Sequence, residues 1–346
     1  MEKVCYNRYR SYYRLLFSFK VIFMALIMIC CMGLTLFAEL NPQNKGSKRT
    51  IEFSYNILVN NVPANSKHLE IWLPVPKTTE HQEVSNLNIS CDYPYTFKKE
   101  PKYNNLILAI ESNEGVSGDL SVAMDFLVTR KSYRVTDKLV TSNVVGNHEE
   151  LENYLAPDRF VPVDGIVAEE AQKILNKDMG PLEKAKVLYD HVVSNMSYDK
   201  SGEGWGKGDA VYACNVKKGN CTDFHSLFIG MARASGIPSR FVIGFPIPDK
   251  KKQGEIYGYH CWAEFYINGL GWVPIDASEA CKYAEKRDLF FGGLDANRVQ
   301  FTIGRDIQIE DNSNIMPLNY FIYPYVRIDE ETYLDVKYHF RFKDLS

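Results

Sequence analysis

Alternation of apolar and polar residues dominates the first third of the chain. Ile51, Phe53, Tyr55 and Ile57 fall on one face of an extended segment, residues 68–73 repeat the habit up to a Pro74-Val75-Pro76 stop, and residues 106–110 and 120–129 follow it. Turns rich in Asn, Gly and Ser separate these runs, so residues 49–135 are expected to form a β-sandwich domain. Farther on the period becomes helical. Residues 168–175 read as a short helix, and residues 181–195 as a longer one that opens on Pro181 at N1 and gathers Leu182, Ala185, Val187, Leu188 and Val192 on one side. Residues 219–240 contain a third helix, because Phe224, Leu227, Phe228, Met231 and Ala232 recur at helical spacing before Gly236 and Pro238 stop it. Three strands follow at 240–247, 256–267 and 272–277, the last two joined by a turn of Asn268, Gly269, Leu270 and Gly271. Residues 311–346 are expected to close as a C-terminal β-hairpin, 320–328 against 332–342 around Asp329, Glu330 and Glu331, with Tyr320, Tyr323 and Tyr325 read as sheet-packing residues and, as the alternative, as the lining of a groove.

The N-terminus follows a different rule. Arg8, Arg10, Arg14 and Lys20 precede an uncharged apolar run over 21–38, the pattern of a signal peptide with a long basic region, and the run is also long enough to anchor in a membrane. Residues 1–40 are therefore read as a signal peptide or membrane anchor. The remainder is expected to be exported: periplasmic, at the cell surface or extracellular. Beyond the leader five cysteines remain, Cys91, Cys214, Cys221, Cys261 and Cys281, so in an oxidising compartment at least one thiol lacks an intrachain partner. The 346 residues suggest two domains, and 45% hydrophobic with 24% charged residues is a globular composition. A net charge of −3 without a basic stripe argues against a nucleic-acid partner.

Cys221 opens the third helix. Asn220 or Thr222 can cap it, and Asp223 in the first turn suits the positive end of the helix dipole, so the thiol sits where a thiolate is favoured. A base is found on the following strands. His260 can take the thiol proton, and Asp276 on the neighbouring strand can fix the tautomer and orientation of the ring. The two share a face only if the connection between their strands has three or five residues or a bulge intervenes. Cys261 alternates to the other face and is expected to stay out of the site, while His225 reads as a packed or surface residue of the helix. The backbone N–H of Cys221 is a ready oxyanion donor; a second is sought in Trp205, with Asn215 as the alternative. Trp205 lies in a glycine-rich stretch, 201–209, which reads as a flexible rim because no phosphate-binding Lys-Ser or Lys-Thr follows it.

Gly-Asn-Cys-Thr-Asp-Phe-His-Ser-Leu with the downstream Arg-Ala-Ser-Gly-Ile-Pro-Ser-Arg, then Tyr-His-Cys-Trp-Ala-Glu-Phe, then Gly-Trp-Val-Pro-Ile-Asp-Ala resemble the three signature blocks of the transglutaminase-like superfamily, in order. The resemblance extends over roughly 168–306 and takes in Phe290-Phe291-Gly292-Gly293-Leu294-Asp295 and Arg298. It implies an α+β, papain-like transglutaminase core over 145–310, with the cysteine helix packed on an antiparallel sheet. It also implies cysteine-based acyl transfer through Cys221, His260 and Asp276 on a peptide or protein substrate, hydrolysis being favoured over transamidation. The calcium dependence of some animal members is not carried over, since the chain lacks an acidic loop of the calcium-ligand pattern, and neither a cofactor nor a metal is expected. Two rivals stand beside this reading. One is a catalytically silent transglutaminase-like binding module. The other is a zinc protein using Cys214, Cys221, His225, His260 and Cys261, against which stands the lack of a close Cys-x-x-Cys pair.

Overall fold

Strand β1 (Lys48–Ser66) is built on the alternation that opens the reading: Ile51, Phe53, Tyr55, Ile57 and Val59 are buried, and the residues between them face outward. It belongs to a computed structural model that describes residues 46–113, 115–135, 151–310 and 315–346. The expected leader at 1–40 lies outside the described residues. After β1 come β2 (Leu69–Val75), β3 (Gln82–Cys91), β4 (Tyr95–Lys99), β5 (Leu106–Ser112) and β6 (Val116–Lys131). Strand β3 escaped the periodicity because an irregularity between Ser85 and Asn88 puts Val84 out of step with Leu87, Ile89 and Cys91, and β4 is short and exposed throughout.

The helices are α1 (Gly165–Ile174), α2 (Pro181–Asn195), α3 (Ala210–Val216) and α4 (Cys221–Ala234). Strands β7 (Ser239–Pro246), β8 (Gln253–Ile256), β9 (His260–Ile267) and β10 (Gly271–Ile275) follow, then helix α5 (Ala277–Lys282). The chain ends with β11 (Arg298–Ile303), β12 (Tyr325–Ile328), β13 (Glu331–Thr332) and β14 (Val336–Asp344).

Among the described residues these strands form two five-stranded sheets, ordered β8-β14-β1-β6-β3 and β13-β12-β2-β5-β4, and a four-stranded sheet ordered β10-β9-β7-β11. The pairing of these strands is antiparallel. Helix α4 packs against β9 and β7, the arrangement expected of a cysteine helix on an antiparallel sheet. Strand β2 is buried along its whole length because both its faces are covered: Leu69, Ile71 and Leu73 join the main core, and Trp72 joins a second cluster with Tyr103, Ile107 and Phe321. Residues 46–346 form one compact unit. No described helix is long and apolar enough to cross a membrane.

Two sequence expectations change. The C-terminal runs do not close on each other as one hairpin. The acidic turn joins β12 to the short β13, but β14 leaves for the other sheet, where it pairs with β1 on one side and β8 on the other. The single strand expected over 256–267 is likewise divided, with β8 in one sheet and β9 in another, around Tyr257-Gly258-Tyr259.

Candidate active site

Helix α4 begins with a reciprocal cap. Asn220 is the capping residue: its side chain accepts from Thr222 N at 2.9 Å, and the Asp223 carboxylate accepts from Asn220 N at 2.9 Å. Gly219 is required here, since a Cβ at that position would lie 2.3 Å from Asp223 Oδ2. Cys221 is thus held at the first helical position, buried. Asp223 has a second task, accepting from Gly206 N at 2.7 Å and Gly208 N at 3.0 Å. Arg305, buried, donates to the carbonyls of Gly208 at 2.7 Å and Lys207 at 2.9 Å and to Ser226 Oγ on α4. The stretch read as a flexible rim is therefore pinned across its second half onto the start of the cysteine helix.

His260 opens β9. Ile267 pairs with Gly271, which leaves Asn268, Gly269 and Leu270 as a three-residue connection to β10. The turn is one residue shorter than the four expected, and the odd count meets the condition for His260 and Asp276 to share a face. Asp276 itself lies just past β10, where it caps α5 by accepting from Glu279 N at 3.0 Å. The His260 Nε2–H donates to Asp276 Oδ2 at 2.7 Å, and Arg298 Nη1 donates to the same oxygen at 2.9 Å. With Nε2 committed to the carboxylate, Nδ1 is the ring nitrogen left for Cys221.

The electrostatics follow from burial and pairing. A hydrogen bond from Cys261, and then His260, hold the Cys221 thiol well below its ordinary value against the opposing effect of burial. Burial works against the charged imidazole of His260, but Asp276 outweighs it and raises the ring from 6.5 to about 10. Burial likewise opposes the charge on Asp276, and His260, Arg298 and His225 together hold the carboxyl well below its usual range. Arg298 is itself buried, and Asp295 and Asp276 outweigh the desolvation of its guanidinium.

The structure brings Cys221, His260 and Asp276 together and adds two side chains that the sequence placed outside the triad. Cys261 faces away from His260 as alternation requires, but the face it reaches is the one covered by α4, so its Sγ lies 3.6 Å from His225 Nδ1 and its thiol is among the causes that lower the Cys221 thiol. His225 is packed, as one of its two readings had it, yet its Nε2 also lies 3.6 Å from Asp276 Oδ1. The signal for His225 was its spacing: four residues after Cys221 places both on one helical face.

Trp205 donates its indole N–H to Gly202 O at 3.1 Å, so this donor is engaged within its own loop. Asn215 is exposed on α3. Tyr320 and Tyr323 pack beside Tyr259, the residue before His260, with ring centroids 5.5 and 6.0 Å away, whereas Tyr325 packs on Trp72. Cys91, Cys214, Cys221, Cys261 and Cys281 are free thiols. Among the described residues no group of three or more His, Cys, Asp and Glu side chains is arranged to hold a metal ion.

Comparison with known proteins agrees with this core. Residues 168–277 match the transglutaminase-like superfamily. An uncharacterised protein of Haemophilus influenzae is 31% identical over 307 residues, which cover 77% of this chain and 83% of that protein. The uncharacterised Bacillus subtilis protein YebA is 27% identical over 183 residues, 47% of this chain and 24% of YebA. A solved Cytophaga hutchinsonii structure, provisionally assigned as a cysteine protease, superposes with a TM-score of 0.50 at 18% identity, covering 86% of this chain and 98% of that one, and so shares the fold. With its α+β core matched in sequence and in shape, the chain belongs to the transglutaminase-like superfamily.

Proposed function

We propose that the chain is an exported, cysteine-dependent acyl-transfer enzyme that acts on peptide or protein amide bonds through a thioester at Cys221. The observation that carries the reading is one grouping: a buried thiol at a helix start that His260 helps to hold below its ordinary value, with His260 Nε2 held 2.7 Å from a buried carboxylate. In that unit the Cys221 thiolate attacks the amide carbonyl carbon, and the oxygen takes up the negative charge beside the Cys221 backbone N–H. Collapse breaks the C–N bond as the imidazolium of His260 gives its proton to the departing amine. A water molecule, deprotonated by the now neutral His260, attacks the thioester and releases the acid and the thiol. Water is far more abundant than any amine acceptor, which favours hydrolysis over transamidation. Trp205 joins the oxyanion site only if its indole leaves Gly202. Export rests on the basic and apolar pattern of residues 1–40.

The test is incubation with peptide mixtures followed by mass spectrometry. Products that have gained one water are expected with the unaltered protein and absent with Cys221→Ala and His260→Ala. Cross-linked products that have lost ammonia would redirect the reading to transamidation. Cleavage that persists in Cys221→Ala would remove the thioester altogether. A protein that binds peptides without converting them would be the silent module.

A further inference from the structure

His260 stands at the less supported end of β9. It forms the last pair of the ladder with β7, opposite Gly244, while the pairing of β9 with β10 runs only from Ala263 to Ile267. Ahead of it the chain passes through Tyr257, Gly258 and Tyr259 out of the other sheet. Cys221 is likewise the first residue of its helix. Both side chains thus project from the end residue of an element, where backbone pairing alone positions least. The residues immediately before them meet: Asn220 Nδ2 donates to the Tyr259 hydroxyl at 3.1 Å. The amide orientation is fixed by its other contact, because Asn220 Oδ1 accepts from the backbone N–H of Thr222 at 2.9 Å and only Nδ2 is left to face the tyrosine. Tyr259 is held from its other side as well. Its ring packs on Tyr320 and Tyr323, and the Tyr320 hydroxyl donates to Gly206 O at 3.4 Å. Gly206 in turn gives its N–H to Asp223, the other half of the Asn220 cap.

We propose that Tyr259 is a positioning residue for the reaction at Cys221: its hydroxyl, bound by the side chain of the residue before the nucleophile, ties the start of β9 to the start of α4 and holds His260 Nδ1 toward the thiol. The role rests on the reading of Cys221 as nucleophile and His260 as base. Contacts run in a closed circuit from Asn220 through Tyr259, Tyr320 and Gly206 to Asp223 and back to Asn220, which makes the tie stiffer than one hydrogen bond between two loose ends. Two substitutions cut it without disturbing its surroundings. Tyr259→Phe keeps the ring and its packing and removes only the hydroxyl, while Asn220→Ser keeps a capping oxygen but is too short to reach the tyrosine. The titratable groups around the Cys221 thiol are Cys261 and His260 on β9, His225 and Asp223 on α4, and Tyr198, with Asp276 and Arg298 behind His260. Neither substitution removes any of them.

The experiment is a double-mutant cycle read by the pH dependence of iodoacetamide alkylation at Cys221 in the intact protein, followed peptide by peptide by mass so that the other thiols do not contribute. The alkylation rate follows the thiolate fraction, which the neighbouring imidazolium sustains only while it is held close. Tyr259→Phe and Asn220→Ser are each expected to move the midpoint up by about 0.7 of a pH unit, lowering the rate on the acid limb about fivefold, the effect of one hydrogen bond. The double variant moves no farther than either single one, because both remove the same bond. Asn220→Thr, which also caps, replaces the serine variant if that one does not fold. A midpoint unmoved in Tyr259→Phe overturns the proposal, as do shifts that add in the double variant. A change confined to the alkaline plateau, which reports access to the thiol, also overturns it. Peptide hydrolysis that Cys221→Ala abolishes, beside an unmoved Tyr259→Phe midpoint, would keep the enzyme reading and remove the tie. The expected shifts in a protein that converts no peptide would keep the tie and remove the enzyme reading.

Discussion

Asp276 gathers donors from four directions: His260 Nε2, Arg298 Nη1, Ser278 Oγ at 3.1 Å and Glu279 N. That is why a carboxylate with no solvent exposure stays ionised and can stabilise the imidazolium. The consequence for activity is a bell-shaped pH profile of kcat/KM. Its acid limb falls as Cys221 takes up a proton, well below the ordinary thiol range, and its alkaline limb falls as His260 loses its proton near pH 10. The same shifts link to stability. His260 binds its proton more tightly in the folded protein, so its contribution is full below pH 6.5 and disappears as pH rises toward about 10. Urea midpoints compared between the unaltered protein and His260→Gln across that window will show the difference narrowing as pH rises; a constant difference would contradict the shift. Removing Arg298 strands Asp276 and Asp295, so Arg298→Met should cost about 3–5 kcal/mol, measured by urea unfolding.

At the scale of elements, α4 does more than present a thiol. Its first turn organises the glycine stretch beside it, because one carboxylate, Asp223, accepts the backbone N–H groups of Gly206, Gly208 and Asn220. Asp223→Ala would leave these donors without their acceptor, at about 1–3 kcal/mol for each that stays buried. The expected outcome is a loss of about 2 kcal/mol or more in urea unfolding, with hydrogen-exchange protection of Gly206 and Gly208 lost while β9 keeps its own. Protection retained at both glycines would show that Arg305 alone holds the loop. Alternation along β9 assigned Cys261 its face correctly, but what covers that face is decided by α4, which arrives from a different part of the chain.

At the scale of the molecule, the first and last described strands tie the sheets together. Strand β14 lies between β1 and β8, and Phe340 on it packs on Tyr55 with centroids 4.6 Å apart and on Phe245 of β7 at 4.2 Å. Arg49 on β1 adds donors to Asn297 Oδ1 and Pro248 O, both at 2.8 Å, and Asp344 Oδ2 at 3.2 Å. Phe340→Ala should therefore destabilise the whole unit by about 3–5 kcal/mol in one cooperative transition. Separate transitions, with the four-stranded sheet surviving, would show that the shared aromatic packing does not couple the parts.

The sequence by itself determined the elements whose signal is local. Periodicity marked β1 and α4, a cap at Asn220 or Thr222 with Asp223 in the first turn marked the start of the helix, and the order of Cys221, His260 and Asp276 within three short motifs marked the candidate site. Strand β3, irregular between Ser85 and Asn88, and the short, exposed β4 left no such mark. Only the tertiary structure decided which surfaces meet. It carried β14 away from its neighbour in sequence to the far sheet, pinned the 206–208 backbone to Asp223 and Arg305, and brought Cys261 and His225 to the thiol. Each of these depends on contacts between residues distant in the chain, where burial and hydrogen-bond satisfaction, rather than local preference, select the partner.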